Sequence, residues 1–139
     1  MPGHHSISRL TLGTVQLGLN YGIANKEGKP GEEKAFRILD EAFSSGVNCL
    51  DTAAAYGDSE TTIGKYFSER RMSREDVYIA TKFKTGSVSS FLVEKVIRES
   101  VENSLKNLKT DYLDFLLLHD ARELQESGRE ITKTVERLL

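Results

Sequence analysis

Cysteine occurs only once in the 139 residues, at Cys49. A lone thiol cannot form an internal disulfide, and a reducing cytosol is the simplest home for such a chain. Neither sign of charge dominates: 19 Lys and Arg face 21 Asp and Glu, for a formal net charge of −2. Without a basic stripe, nucleic acid finds no electrostatic footprint. Apolar runs stay strand-sized, well short of the roughly 20 residues a membrane helix needs, so no membrane partner is expected. The start, Met1-Pro2-Gly3-His4-His5, has no apolar core and no signal-peptide form. His4 and His5 are too few for a metal site, and no metal is expected. Low-complexity tracts and inter-domain linkers are missing as well. What remains is one domain's worth of chain, long enough to bury a core.

The chain alternates regularly between strand and helix. Leu10–Val15 reads as a strand, followed by a long glycine-rich loop from Gly18 to Gly31. Glu32–Ser45 has Ala35, Ile38, Leu39, Ala42 and Phe43 on one helical face, with Gly46 placed for a left-handed cap. Val47–Leu50 is the second strand. Ser59 is expected to cap a helix from Glu60 to about Glu69. Val77–Thr81 is the third strand. Ser89 or Ser90 opens the longest helix, which runs to about Leu108 with an apolar stripe of Leu92, Val96 or Ile97, Val101, Leu105 and Leu108. Asp111–Leu118 contains the fourth strand, and a helix from about Arg129 to Leu138 follows. The strands lack clean polar alternation, so both faces of the sheet are expected to be covered.

Repeated strand-helix units imply a parallel sheet, either doubly wound or part of a (β/α) barrel. The first loop, Leu12-Gly13-Thr14-Val15-Gln16-Leu17-Gly18, is not Gly-x-Gly-x-x-Gly, and no phosphate-binding Gly-x-x-x-x-Gly-Lys-Ser/Thr occurs. The barrel is therefore the expected architecture. Its sites form beyond the carboxyl ends of the strands.

Three ionisable residues fall at those ends. Asp51 follows Val47–Leu50, Lys82 follows Val77–Thr81, and His119 follows Leu113–Leu118; Tyr56 lies in the loop after Asp51. Each has an ordinary explanation alone: a loop aspartate bonding backbone donors, a lysine reaching into water, a rim histidine, a packed tyrosine. Four on consecutive units at one rim point to proton transfer. A phenol is a weak acid at neutral pH, an adjacent ammonium favours its phenolate, and a carboxylate keeps an ammonium charged. A histidine can orient a substrate oxygen. Such a set can protonate a carbonyl oxygen, a service worth roughly 10²–10⁴-fold in rate. None of the four donates hydride, so reduction requires a cofactor.

The segment Asp51-Thr52-Ala53-Ala54-Ala55-Tyr56-Gly57-Asp58-Ser59-Glu60 closely resembles the aldo-keto reductase signature Asp-Thr-Ala-x-x-Tyr-Gly-x-Ser-Glu. Ile79-Ala80-Thr81-Lys82 is similar to that family's lysine strand, Asp111–His119 to its histidine strand, and Leu12-Gly13-Thr14 to its first-strand motif. The resemblance runs from about Leu10 to Leu139. It implies a (β/α)₈ barrel and a catalytic tetrad of Asp51, Tyr56, Lys82 and His119, with Tyr56 as general acid. It also implies NADP(H), in some members NAD(H), held near Gly13, Thr14 and Asp51, and a small carbonyl substrate reduced to an alcohol. Tyr21 is a rival aromatic at the same mouth and Lys84 a rival lysine. Cys49 reads as a buried thiol and Tyr66 as helix packing.

A whole barrel takes about 250 residues. Residues 1–139 are thus expected to be one partial domain, the N-terminal half of a TIM barrel, with about four parallel strand-helix units. A half barrel leaves apolar edges on its first and fourth strands, which invite self-association. The favoured expectation is a fragment of a reductase that is weak or inactive alone for want of cofactor phosphate sites. The alternatives are two copies pairing edge to edge, a degenerate domain that no longer does chemistry, a non-catalytic binding or regulatory subunit, and a Schiff-base enzyme using Lys82.

Overall fold

The structure is a computed structural model, and it describes residues 6–138. His4 and His5 lie outside the described residues. Four short apolar segments become parallel strands: β1 (Leu12–Gly13), β2 (Cys49–Asp51), β3 (Tyr78–Phe83) and β4 (Phe115–Leu118). They lie in the order β1-β2-β3-β4. Five helices connect or follow them: α1 (Val15–Gly18), α2 (Glu32–Ser44), α3 (Ser59–Arg70), α4 (Val93–Leu108) and α5 (Glu123–Glu136). Consecutive parallel order with crossovers of one hand keeps the helices on one face. A doubly wound sheet would reverse its strand order and bury both faces. The architecture is α/β, with the strand order of a (β/α) barrel wall.

Register shows which side chains share a face. Leu50 pairs with Ile79, and Phe83 with Leu118. All four meet helices. Leu50 and Ile79 pack with Leu39 of α2 and Ile63 of α3, while Phe83 packs with Val93 and Ile97 of α4 and Ile131 of α5. Leu39, Leu50, Ile63, Ile79 and Ile97 are fully buried. Each such side chain contributes about 1.5–3 kcal/mol. The opposite face carries Asp51, Ala80 and Phe115 in one row, and Lys82 beside Leu117 in the next. There Phe115 is 43% and Leu117 44% exposed. Cover on both faces, expected from the apolar strands, is found on only one face among the described residues. Apolar composition reports what a strand is suited to meet, not what meets it.

Helix ends follow local chemistry. After α2, Gly46 takes φ +85°. Its N–H donates to the Phe43 carbonyl and that of Val47 donates to Ala42, completing a Schellman cap. The same turn after α3 and α4 falls on Arg71 (φ 51°) and Lys109 (φ 54°), where a side chain makes it costly. Helices α3 and α4 touch through main chain at Gly64, where a Cβ would lie 2.1 Å from the Asn107 carbonyl oxygen.

At the amino ends of β3 and β4 a buried ion pair sets the register. Asp114 accepts from Arg74 Nη2 at 2.6 Å and from the Ile79 backbone N–H at 2.8 Å. Its carboxylate thus serves the last N–H before the β3–β4 ladder, which starts at Ala80 and Phe115. Arg74 also donates to the Val77 carbonyl and stacks on Tyr112 at 4.2 Å. Side-chain exposure is 15% for Arg74 and 6% for Asp114.

Several boundaries differ from expectation. The first strand shrinks to Leu12–Gly13, because Val15 turns at once into α1. The second and third strands run further, to Asp51 and Phe83, so Lys82 lies inside its strand. Helix α4 begins at Val93 after a tight turn over Ser90–Leu92, and Leu92 is exposed. Helix α5 starts at Glu123, well before Arg129, and continues through a kink at Ser127 (φ −134°).

Candidate active site

The carboxyl ends of β2, β3 and β4 bring the four predicted polar groups together. Lys82 and Ala80 are two apart on β3, so they share a face, and Ala80 is the register partner of Asp51. Lys82 therefore reaches back across β2. Its Nζ donates to Asp51 Oδ1 at 2.6 Å and to the Thr52 carbonyl at 2.9 Å, and lies 3.4 Å from the Tyr56 hydroxyl. Three ammonium protons meet three oxygens. Backbone bonds extend the β2–β3 pairing past Asp51, from Thr52 N–H to Ala80 and from Ala54 N–H to Lys82. They hold the loop's start alongside the lysine.

Tyr56 is placed by a tight turn, its N–H donating to the Ala53 carbonyl at 2.9 Å. Gly57 follows at φ +56°. Helix α1 presses main chain on this turn: a Cβ on Gly18 would sit 1.7 Å from the Tyr56 carbonyl oxygen. His119 extends the β4 pairing by one residue, its N–H donating to the Phe83 carbonyl at 2.9 Å. Its ring meets Tyr56 edge-on, centroids 5.8 Å apart. Burial, then the charges of Lys84 and Lys82, lower its pKa below the usual histidine value. The neutral imidazole is thus favoured, and its buried Nδ1 has no hydrogen-bond partner among the described residues.

Of the other candidates, Gly13 and Thr14 adjoin Asp51 without joining the Lys82 contacts, and Lys84 acts on His119 only through its charge. Gly13 is exposed, and a Cβ there would meet nothing within 4 Å, so tight packing does not require it. Thr14 is fully buried, and its hydroxyl donates to the Asp51 carbonyl at 3.0 Å. That hydroxyl faces inward, away from the mouth. Tyr21 is 58% exposed, in a loop tied by Asn25 and Gln16 to its carbonyl. Lys84 is exposed beyond β3, and Cys49 is buried in β2. Tyr66 packs on Phe36 and Phe43 and donates to Asp40 at 2.9 Å. Its pKa rises to about 12, mainly through burial.

Ser59 does not cap α3. Asp58 occupies the cap position without a side-chain bond. Instead the Ser59 hydroxyl turns inward to Thr14 Oγ1 at 2.8 Å and Thr52 Oγ1 at 3.1 Å. Glu60 is 2% exposed and accepts from Thr81 Oγ1 at 2.7 Å, next to Lys82. The residues alone read as a helix cap and a first-turn acid, and the signature that includes both gave neither an inward role. Their inward turn depends on a sheet that local sequence does not describe.

The family model for the aldo/keto reductase family matches residues 9–138. The chain belongs to the aldo/keto reductase family. Norsolorinic acid reductase B of Dothistroma septosporum is 35% identical over 127 residues, which cover 81% of this chain and 31% of that protein. A solved structure from Pseudomonas aeruginosa, classed as an aldo-keto reductase, superposes with a TM-score of 0.76 at 34% identity, covering 97% of this chain and 52% of that one. A holo aldo-keto reductase from Bacillus halodurans gives 0.70 at 32% identity, over 95% and 42%. This aldo/keto reductase chain thus spans about half the length of that first solved relative and about a third of the curated one. Family membership supports an oxidoreductase role. Among the described residues no cluster of His, Cys, Asp and Glu could hold a metal, and no helix is long and apolar enough to cross a membrane.

Proposed function

We propose that this chain carries the proton-transfer site of an NAD(P)H-dependent reductase that converts an aldehyde or ketone to an alcohol. The observation that carries this reading is the Lys82 ammonium, held between Asp51 Oδ1 at 2.6 Å and the Tyr56 hydroxyl at 3.4 Å. In such a reaction the dihydronicotinamide supplies hydride to the carbonyl carbon. The chain's own residues handle the proton. Tyr56 gives its phenolic proton to the carbonyl oxygen. The nearby Lys82 ammonium stabilises the negative charge left on the phenol oxygen, at low cost because it is already placed. Asp51 holds the ammonium in position. His119, neutral and edge-on to Tyr56, donates an N–H to the same carbonyl oxygen and aims it.

The residues present fit a nicotinamide. Gly13 and Asp51 are register partners at the sheet's open face, and a Cβ on Gly13 would meet nothing within 4 Å. A flat ring can lie there. The shared polar set favours NADP(H) or NAD(H) equally; the phosphate distinction lies elsewhere in such proteins.

Tyr56→Phe tests the reading. In a full-length version, NADPH consumption with a panel of aldehydes and ketones should fall about 10²–10⁴-fold, with the far-UV spectrum unchanged. Turnover that survives the substitution would remove Tyr56 from the role of acid, while a chain with no turnover that captures a protein partner equally well with and without Tyr56→Phe would favour a binding or regulatory subunit.

A further inference from the structure

Beneath the proposed site lies a closed set of three buried hydroxyls. Thr14, Thr52 and Ser59 all have no exposed surface. They come from the end of β1, the end of β2 and the first turn of α3. Proton bookkeeping gives the set a direction. Thr14 Oγ1 donates to the Asp51 carbonyl at 3.0 Å. Its proton is thereby committed, so Ser59 must donate to Thr14, with Oγ1 at 2.8 Å and the carbonyl at 3.0 Å. Ser59 has no second proton, so its 3.1 Å contact with Thr52 Oγ1 requires Thr52 as donor. The chain therefore runs from Thr52 through Ser59 and Thr14 to the carbonyl of Asp51. It leaves one residue and returns to its immediate neighbour by way of two other elements.

Both ends of this loop touch the site. Asp51 carries the carboxylate that accepts from Lys82, and the Thr52 carbonyl accepts the second ammonium proton at 2.9 Å. A three-bond chain pins the peptides on either side of the Asp51–Thr52 junction, and buried hydroxyl chains strengthen one another. We infer that Thr14, Thr52 and Ser59 are positioning residues that hold the Asp51 carboxylate and the Thr52 carbonyl where Lys82 must meet them. The inference rests on reading Asp51, Tyr56 and Lys82 as the proton-transfer groups. All three side chains are fully buried, so their hydroxyls act through the groups they bond. A mere helix cap would leave the ammonium indifferent to these hydroxyls.

Thr52→Val removes the first hydroxyl while keeping shape, and Thr52→Ser keeps the hydroxyl while losing a methyl. In ¹⁵N-lysine-labelled protein, the ζ-ammonium signal of Lys82 is identified by its loss in Lys82→Met. It should move or broaden in Thr52→Val and return near its wild-type position in Thr52→Ser. In the full-length version, reductase kcat should fall about tenfold in Thr52→Val, the effect of one lost buried hydrogen bond, with KM changed less than about twofold. Thr14→Val and Thr14→Ser repeat the comparison from the far end and serve if a Thr52 variant does not fold. An unmoved Lys82 signal in folded Thr52→Val and Thr14→Val protein overturns the inference. So does equal loss of signal in the valine and serine variants, which marks packing rather than the hydroxyl. The two readings fail separately: full activity in Tyr56→Phe removes the proposed acid, while the ammonium signal still decides the positioning role.

Discussion

Replacing Asp114 with alanine should be among the costliest single changes in the fold. The carboxylate holds Arg74 Nη2 at 2.6 Å and caps the Ile79 N–H at 2.8 Å. With 15% and 6% side-chain exposure, both partners are largely withdrawn from water. Removing one member of a buried pair leaves the other charge uncompensated, at about 3–5 kcal/mol. Arg74 keeps two carbonyl acceptors and its stacking on Tyr112, which places the expectation near the lower limit. About 3 kcal/mol corresponds to a drop in melting temperature of roughly 10 °C for a chain this long. Urea unfolding of Asp114→Ala beside Asp114→Asn separates the two functions. Asparagine can still accept from Ile79 and so should lose less. The apolar pair Arg74→Met with Asp114→Leu should recover the part of the loss that comes from the unpaired charge, while the uncapped Ile79 N–H keeps the rest. A loss under about 1 kcal/mol for Asp114→Ala would refute the claim that this pair clamps the strand register.

Other expectations follow from single residues. The His119 ring should titrate below its usual value, since burial first, and then Lys84 and Lys82, disfavour the cation. A depressed histidine pKa means that the unfolded chain takes up the proton first as pH falls. His119 therefore lowers stability as the pH drops through the ordinary histidine range, about 6.5, and contributes no such loss above it. Proton NMR of the ring should place its midpoint below that value, and Lys84→Met should shift the midpoint upward. A midpoint at or above 6.5 would contradict this. Lys109→Gly should stabilise the fold by roughly 0.5–1 kcal/mol, because a left-handed cap strains any residue with a Cβ. Calorimetry that showed destabilisation would mean the Lys109–Ser68 hydrogen bond outweighs the strain.

The strand succession and the four polar residues were legible because each rests on short-range pattern. Apolar runs bounded by turn residues identify strands, and Asp51, Lys82 and His119 stand at their ends in any parallel arrangement. Gly46 announced its cap because a φ of +85° suits little else. What was not legible depends on distant partners. Ser59 looks like a cap from its position before Glu60, yet Thr14 and Thr52 draw it inward across 45 and 7 residues of sequence. Lys82 appeared to follow its strand, but pairing with β4 carries the strand on to Phe83. The first turns of α5 were hidden by Ser127 and Gly128, which read as a break and act only as a kink.

Two glycines near the site respond oppositely to the same chemical question. A Cβ on Gly13 would meet nothing within 4 Å, whereas one on Gly18 would lie 1.7 Å from the Tyr56 carbonyl oxygen. In terms of sequence drift, position 13 is sterically free, so any selection acting there reports on what the mouth must admit. Position 18 is closed to every other residue. Because its neighbour is main chain, no change of side chain at 56 can open it. A descendant that abandoned the tyrosine's chemistry would still need glycine at 18 to keep this fold. Glycine at 18 is thus a requirement of shape and tyrosine at 56 one of reaction, and the two can be separated by substitution at 56 alone.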